Sequence, residues 1–587
     1  MGCIGRRKSK TRLTSSCGTS APWKTLASFA PVFHDYVSEI ANAEVLHAYA
    51  AVALSNPVGT YLTLAGNSLA LAAQQPSQTG QWSQPIPMPI VPIHVSLLPD
   101  GKVLLWRHGH QDLTDANGNS YVADNPTPYV WDVNAPLSDA NPKLVDVPKI
   151  YPNGQHTDEI YCSGQGFLPD GRLIAVGGHL SKYNTPPGQR NDEFTASPQA
   201  HLFDYTQAQP WSLAASMSSG RWYATYLTLG DGEGLVTGGI VADDEYGQYQ
   251  YNVYPELYDS ALNAFRTLAG ASWAVPTYPW MYNVPGGAVG AKAFYAGPGP
   301  DTRFIDVTGP GQWGQPIPTT FGMVRSPSGV HQSTSVLYDH GKILNAGGIS
   351  YCCGFSWETA PPTNAAEVID LNVASPSWTQ VASMNYPRQH LNSTLLPTGK
   401  VLVTGGSSAA GFSNVAGAIL AAELWDPGSN SWSLLASGTE PRLHHSIAML
   451  LPDGRVLVGG GGETGFAGEV SHPSFEIFSP PYLFKGARPL IAAAPQTIRY
   501  RDKVDTFDIQ TNDPNIGSVV LIRLPSVTHA FNQNQSFARL SFTKIKGGLR
   551  AMTPADRNVA PPGHYMLFIV TSNGAPSVAK IVQLVNF

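Results

Sequence analysis

The hydrophobic and polar positions of this chain fall into one phrase that returns. It reads as an apolar run, a tight turn, a second apolar run and then a pair of glycines. Copies stand at "PIHVSLLPDGKVLLW" (92–106), which lacks the glycine pair, "YCSGQGFLPDGRLIAVGG" (161–178) and "RWYATYLTLGDGEGLVTGG" (221–239). Others follow at "HQSTSVLYDHGKILNAGG" (331–348), "QHLNSTLLPTGKVLVTGG" (389–406) and "PRLHHSIAMLLPDGRVLVGGGG" (441–462). A weaker copy, "PWMYNVPGGAVGAKAFYAG" (279–297), with its turn near Gly290, makes seven. Two short apolar runs around such a turn predict paired strands. Aromatic segments such as "AELWDPGSNSWSLL" (422–435) predict a second hairpin behind each pair.

Four strands recurring every ~50 residues describe a propeller blade, and the diglycine suits a kelch-type repeat. The predicted fold is all-β, with a seven-bladed kelch-type β-propeller over residues 81–487. A solenoid is disfavoured because it needs caps and leaves sheet edges open. After "FEIFSPPYLFKGARP" the rhythm changes to alternating short strands, among them "SVVLIRL" and "YMLFIVTSNGAPSVA". Residues 488–587 therefore predict a C-terminal immunoglobulin-like β-sandwich. Residues 1–80 stand apart as an export signal or a disordered segment. "MGCIGRRKSK" begins like an acylation signal but carries Arg6 where myristoylation wants Ser or Thr. Residues 45–99 hold no charged side chain, yet Asn56–Pro57 interrupts them, which argues against a transmembrane helix. A secreted, cell-surface or periplasmic location is expected.

Composition narrows the function. Charged residues are 13% of the chain, about half the ~25% usual for globular domains, while Gly (58) and Pro (49) are abundant, as turn-rich β-structure requires. A net charge of −6 argues against nucleic acid as a partner. The five cysteines, Cys3, Cys17, Cys162, Cys352 and Cys353, are odd in number and irregular in spacing, so they form no disulfide framework.

Aligning the copies brings reactive side chains to one level. Nine residues before each turn glycine stand Pro92, Cys162, Tyr223, Met281, Gln332, His390 and His445. This is the mouth of each blade's first strand, which lines the central channel, and His444 lies one step earlier in the last blade. Singly, a Tyr or His at a strand end is packing and a lone Cys is core. A thiol, a phenol and imidazoles in one ring point instead to a site. Gln332, His390 and the neighbouring His331 share that level as polar residues of a wet channel mouth or as substrate contacts.

At these residues the chain resembles the copper radical oxidases, the galactose oxidase and glyoxal oxidase group. The likeness rests on "RWYATYLTL", "RLHHSIAMLLPDGRVLVGGGG", "FEIFSPPYL", "VTHAFNQNQ" and "PPGHYMLFIVTSNGAPSVA". It implies that Tyr223 is an equatorial copper ligand joined by a thioether to Cys162, the pair forming a tyrosyl-radical cofactor. It implies His445 and His529 as the histidine ligands, the latter sent into the channel by the C-terminal domain. His444 replaces the family's axial tyrosine, as a ligand or as a base for the substrate hydroxyl. Two imidazoles and a phenolate in a square plane favour copper, whereas zinc prefers a tetrahedron.

The implied activity is oxidation of a small alcohol, aldehyde or carbohydrate by O2 with release of hydrogen peroxide, in a monomer. The indole that stacks on the cross-linked tyrosine has Trp280 and Trp357 as candidates, while Trp222, beside Tyr223, is expected to point away. Two alternatives are a non-catalytic propeller that binds protein or glycan and a copper site without the radical.

Overall fold

The computed structural model describes residues 75–585 apart from 108–109, 115–119, 125–127, 139–140, 146–155, 183–194, 244–248, 287–292, 321–331, 350–358, 464–468, 501–504 and 555. Each repeated phrase forms two antiparallel neighbours, and its turn glycine is there for a conformational reason. Gly101, Gly171, Gly232, Gly399 and Gly454 hold φ between 80° and 97°, a region that L side chains avoid. Among the described residues helix is confined to Pro76–Thr79, Val415–Gly417 and Pro481–Phe484; the chain is all-β, as expected.

Among the described residues, seven antiparallel sheets of four to six strands follow one another along residues 81–479, beside three two-stranded ones. The second is typical, running outward in chain order through Gly164–Phe167, Leu173–Val176, Ala200–Phe203 and Trp211–Leu213. The seventh has Ser446–Leu450, Val456–Gly460 and Ser474–Ser479, and takes its outer strand from Gln81–Trp82, with Trp82 opposite Phe478. The two ends of the repeat are thereby clasped, and an edge that would otherwise stay open is paired. First and second strands are buried on both faces, so they read as continuous apolar runs rather than alternating ones.

A buried ion pair recurs behind these strands. Arg221 meets Glu256 at 2.9 Å, Arg388 meets Glu423 at 2.9 Å and Arg442 meets Glu476 at 3.2 Å. Each arginine also donates to a diglycine carbonyl, Gly238, Gly405 or Gly460. The diglycine is needed because the next sheet presses on it: a Cβ at Gly347, where φ is 67°, would come 2.7 Å from the Arg388 carbonyl oxygen.

Residues beyond 490 form two further sheets. One has five strands, including Ile516–Arg523 and Gly563–Thr571; the other has Thr506–Gln510, Gly548–Met552 and Phe542–Ile545. They share an apolar cluster that includes Ile509, Leu521, Leu549 and Leu567. From this region Ser526–Thr528 reaches back and pairs with His94–Leu97 of the first sheet, placing Thr528 opposite His94. The segment after it is pinned by side chains: Gln533 Oε1 accepts from the backbone N–H groups of Gln165 and Tyr226, and Gln535 Oε1 from that of Leu337. The C-terminal segment thus touches the first strands of the second, third and fifth sheets.

Candidate metal centre

The residues at the mouths of the first strands are built unlike strands. Cys162, Tyr223, Tyr278 and His445, just before them, and His390, second in Gln389–Leu395, have φ of 54°, 66°, 43°, 64° and 57°. A left-handed non-glycine residue costs about 1–3 kcal/mol and persists only where its surroundings enforce it. Here the enforcement passes from sheet to sheet. Tyr223 N–H donates to Cys162 O (2.8 Å), Tyr278 N–H to Tyr223 O (2.7 Å) and His390 N–H to Gln332 O (2.8 Å). The ring register places Cys162, Tyr223, Gln332, His390 and His445 as the alignment expects. In the fourth sheet it does not: Tyr278 takes the ring position, and Met281 lies three residues on, inside an apolar cluster. The weak copy reads "VPGGAVG" where the others carry a clear turn glycine, so counting from Gly290, which lies outside the described residues, misplaces it.

His444 and His445 both turn inward. They precede the strand Ser446–Leu450, so its strict alternation does not apply to them. Their ring centroids are 4.1 Å apart, and those of His445 and His529 are 4.6 Å apart. Ligand atoms of His444, His445 and His529 all lie within 4.8 Å of one another. His444 also packs on Phe412 (4.5 Å) and His390 (5.2 Å). On the other side of His529, Cys162 Sγ is 3.7 Å from His529 Nε2, and the Tyr223 ring lies 5.1 Å from the His529 ring.

Backbone and hydroxyl partners decide which nitrogens face this space. His445 Nδ1 is 2.6 Å from Gly462 O, a carbonyl that can only accept, so Nδ1 carries the proton and Nε2 a lone pair. Thr528 Oγ1 gives its proton to Ile93 O at 3.0 Å and therefore accepts from His529 Nδ1 at 2.6 Å, which again leaves the lone pair on Nε2, the nitrogen that faces Cys162 Sγ. Burial pushes the His445 imidazole down to about 4, which keeps it neutral and ready to bind a metal. Burial likewise raises the Tyr223 phenol and the Cys162 thiol, the latter partly offset by hydrogen bonds to Tyr161, Tyr223, Trp222 and Tyr278.

Trp222 does not point away from Tyr223. Its ring lies over the tyrosine at 4.0 Å and 31°. The reason is the backbone: Trp222 bridges Ile240 and Tyr223 then turns left-handed, so neighbouring side chains fold to one side. Trp280 is fully buried, and among the described residues its ring neighbour is Phe531, at 6.3 Å. Trp357, His331, Cys352 and Cys353 lie outside the described residues.

Sequence reasoning missed three neighbours. Tyr161, just before Cys162, places its hydroxyl 3.2 Å from His445 Nε2. Tyr278 stacks 4.8 Å from His529 and donates to Ser163 O. His94 Nε2 accepts the Cys162 N–H at 3.1 Å while Nδ1 bonds Gln165 Oε1 at 2.7 Å, and its ring stacks on Trp106 at 4.7 Å. The adjacency of Tyr161 to Cys162 was a usable signal; His94 and Tyr278 had none outside their weak or shifted copies.

Comparison with known proteins bears out the resemblance. The family model described as "Glyoxal oxidase N-terminus" matches residues 356–482, and "Galactose oxidase-like, Early set domain" matches 488–584. A galactose oxidase of Gibberella zeae is 26% identical over 531 residues, 87% of this chain and 71% of the relative. An aldehyde oxidase GLOX of Vitis pseudoreticulata is 28% identical over 458 residues, 73% of this chain and 82% of the relative. Among solved structures, a fungal alcohol oxidase of the AA5 family in complex with copper shares the fold, with a TM-score of 0.68 at 24% identity over 86% of this chain and all of that one.

Proposed function

We propose that this chain, similar over most of its length to galactose oxidase and glyoxal and aldehyde oxidases, is a copper radical oxidase of small alcohols, aldehydes or carbohydrates. The observation that carries the reading is the convergence of Cys162, Tyr223, His445 and His529, drawn from three sheets and the C-terminal segment, with both histidines presenting Nε2. The seven sheets are read as the blades of one propeller over 81–487, followed by an immunoglobulin-like sandwich over 488–587. A secreted monomer fits the same picture, and no helix among the described residues is long and apolar enough to cross a membrane.

The donor set fits one ion. Two nitrogens bound to the same metal at ~2.0 Å each are at most ~4 Å apart, so the trio within 4.8 Å needs only small ring rotations. His445, His529 and Tyr223 would hold copper, with His444 beside them, and N,N,O donors suit copper(II). When bound, copper supplies a second one-electron acceptor next to a tyrosyl radical. The chain supplies the rest. Cys162, in hydrogen-bond range of Tyr223, is the thioether partner that makes this phenol easier to oxidise. The Trp222 ring covers the tyrosine against solvent. Tyr223 takes a hydrogen atom from the substrate carbon, the hydroxyl proton goes to a nearby base, and the two electrons and two protons leave with O2 as hydrogen peroxide.

Mass spectrometry of protein exposed to copper and air tests this. A linked pair of peptides carrying Cys162 and Tyr223, lighter by two hydrogens than their sum, is expected. It is absent in Cys162→Ser and Tyr223→Phe, whose peroxide release falls to background. Copper-loaded wild type without the link would refute the oxidase. It would favour the second reading, a copper site without the radical, which the extra imidazole of His444 supports.

A further inference from the structure

We propose that Tyr161 supplies the phenol that position 444 lacks: it ligates the metal beside His445 and accepts the proton of the substrate hydroxyl. The inference rests on the proposed function above and extends it to a residue that the ligand set did not include. Tyr161 sits in the turn before Cys162, 6% exposed, with its ring edge-on to His445 at 6.0 Å and 81°. Because His445 Nδ1 is committed to Gly462 O, the 3.2 Å contact must run from the Tyr161 O–H to the Nε2 lone pair. That is the lone pair a metal uses. The phenol is therefore held on the very atom that binds the ion.

The distance itself is informative. Two donor atoms at right angles on one ion, each ~2.0–2.1 Å from it, stand ~3 Å apart. The 3.2 Å separation of Tyr161 oxygen and His445 Nε2 is close to that of neighbouring ligands; once the shared proton is lost, a small swing of the phenol off the lone-pair axis makes room for the ion. The other phenols are spoken for. Tyr278 donates to Ser163 O at 3.1 Å, and Tyr223 is the radical phenol.

The proton balance closes. The substrate O–H bond breaks and a Tyr161 O–H bond forms, while the hydrogen atom from the substrate carbon goes to Tyr223. Reduction of O2 to hydrogen peroxide consumes two electrons and two protons, which returns both tyrosines to their starting states. Tyr161 and Tyr223 then flank the substrate as base and hydrogen-atom acceptor.

The test uses copper(II) added to the full-length Tyr223→Phe protein, which has lost the other candidate phenolate. A visible phenolate-to-copper absorption band is expected there and should vanish in the Tyr223→Phe/Tyr161→Phe double variant. In an otherwise wild-type chain, Tyr161→Phe should still form the Cys162–Tyr223 link yet turn over a primary alcohol about 10²–10⁴-fold more slowly, the usual worth of a general base. Copper uptake by Tyr223→Phe without the band overturns the role of Tyr161 alone. So does an unslowed Tyr161→Phe. A wild type that takes up no copper, or takes it up and forms no link, overturns the oxidase reading and this inference with it.

Discussion

Thr528 provides a measurement that isolates how the fold prepares a ligand. Thr528→Val keeps the branched shape and removes only the hydroxyl that stands between His529 Nδ1 (2.6 Å) and Ile93 O (3.0 Å). Without it, His529 has two poor choices. It can keep its proton on Nδ1, where the buried N–H loses its partner at a cost of about 1–3 kcal/mol. It can instead move the proton to Nε2, which blocks the ligating atom. Either route charges the metal-bound form by a similar amount, and loss of such an outer partner typically weakens metal affinity about 10–100-fold, or about 1.4–2.8 kcal/mol. The assay is a copper(II) titration against a chelator of known affinity, with Thr528→Ser as the variant that restores the hydroxyl. Affinity of Thr528→Val within about twofold of the wild type would refute the argument that this hydroxyl sets the tautomer.

Three further outcomes follow from the same geometry. Arg388→Met strips the Glu423 carboxylate of its buried cation, leaving it with Asn385 N–H (2.6 Å) and Nδ2 (2.8 Å) and Tyr386 N–H (3.3 Å), and should cost about 3–5 kcal/mol by denaturant unfolding; an unchanged midpoint would refute the stabilising role of the pair. His94 and His445 are pushed by burial to about 3 and about 4, below the 6.5 of the unfolded chain. Between pH 6.5 and 4 the unfolded state binds more protons, so apo-protein stability drops as pH is lowered, by about 1.4 kcal/mol per unit for each histidine. A melting temperature flat from pH 7 to 4.5 would contradict it. Trp222→Ala uncovers Tyr223 and should shorten the lifetime of the radical absorption after oxidation, with the thioether still formed; an equal lifetime would remove Trp222 as the shield.

Some of the site could be read from the chain and some could not. Cys162, Tyr223 and His445 fall at one offset from a turn glycine because the second, third and seventh sheets reuse one local geometry. Where a copy weakens, the offset fails, and Met281 stands in for Tyr278. Trp222 was misread because alternation of side chains holds only inside a strand, and the residues before these strands are left-handed. The Arg–Glu pairs had a readable signature, an arginine two or three residues before Tyr223, His390 and His445 and a glutamate in "PELYD", "AELWD" and "FEIFS". It became meaningful only when the pairs were seen to share the diglycine carbonyls.

By itself the sequence determined what is local and repeated: the glycine turns, the apolar strand pairs, the all-β character and the positions able to carry a thiol, a phenol and imidazoles to one level. Each of these depends on a few adjacent residues. Only the tertiary structure decided which side chains meet. His529 enters beside Cys162 because Thr528 pairs with His94, more than 400 residues away in the chain. Tyr161 reaches His445 although one stands before the second sheet and the other before the seventh. The tautomers of the two histidines follow from carbonyl and hydroxyl partners at Gly462 and Thr528. Those contacts are set by closure of the sheets and by the returning C-terminal segment, and no local pattern encodes a distance between residues so far apart.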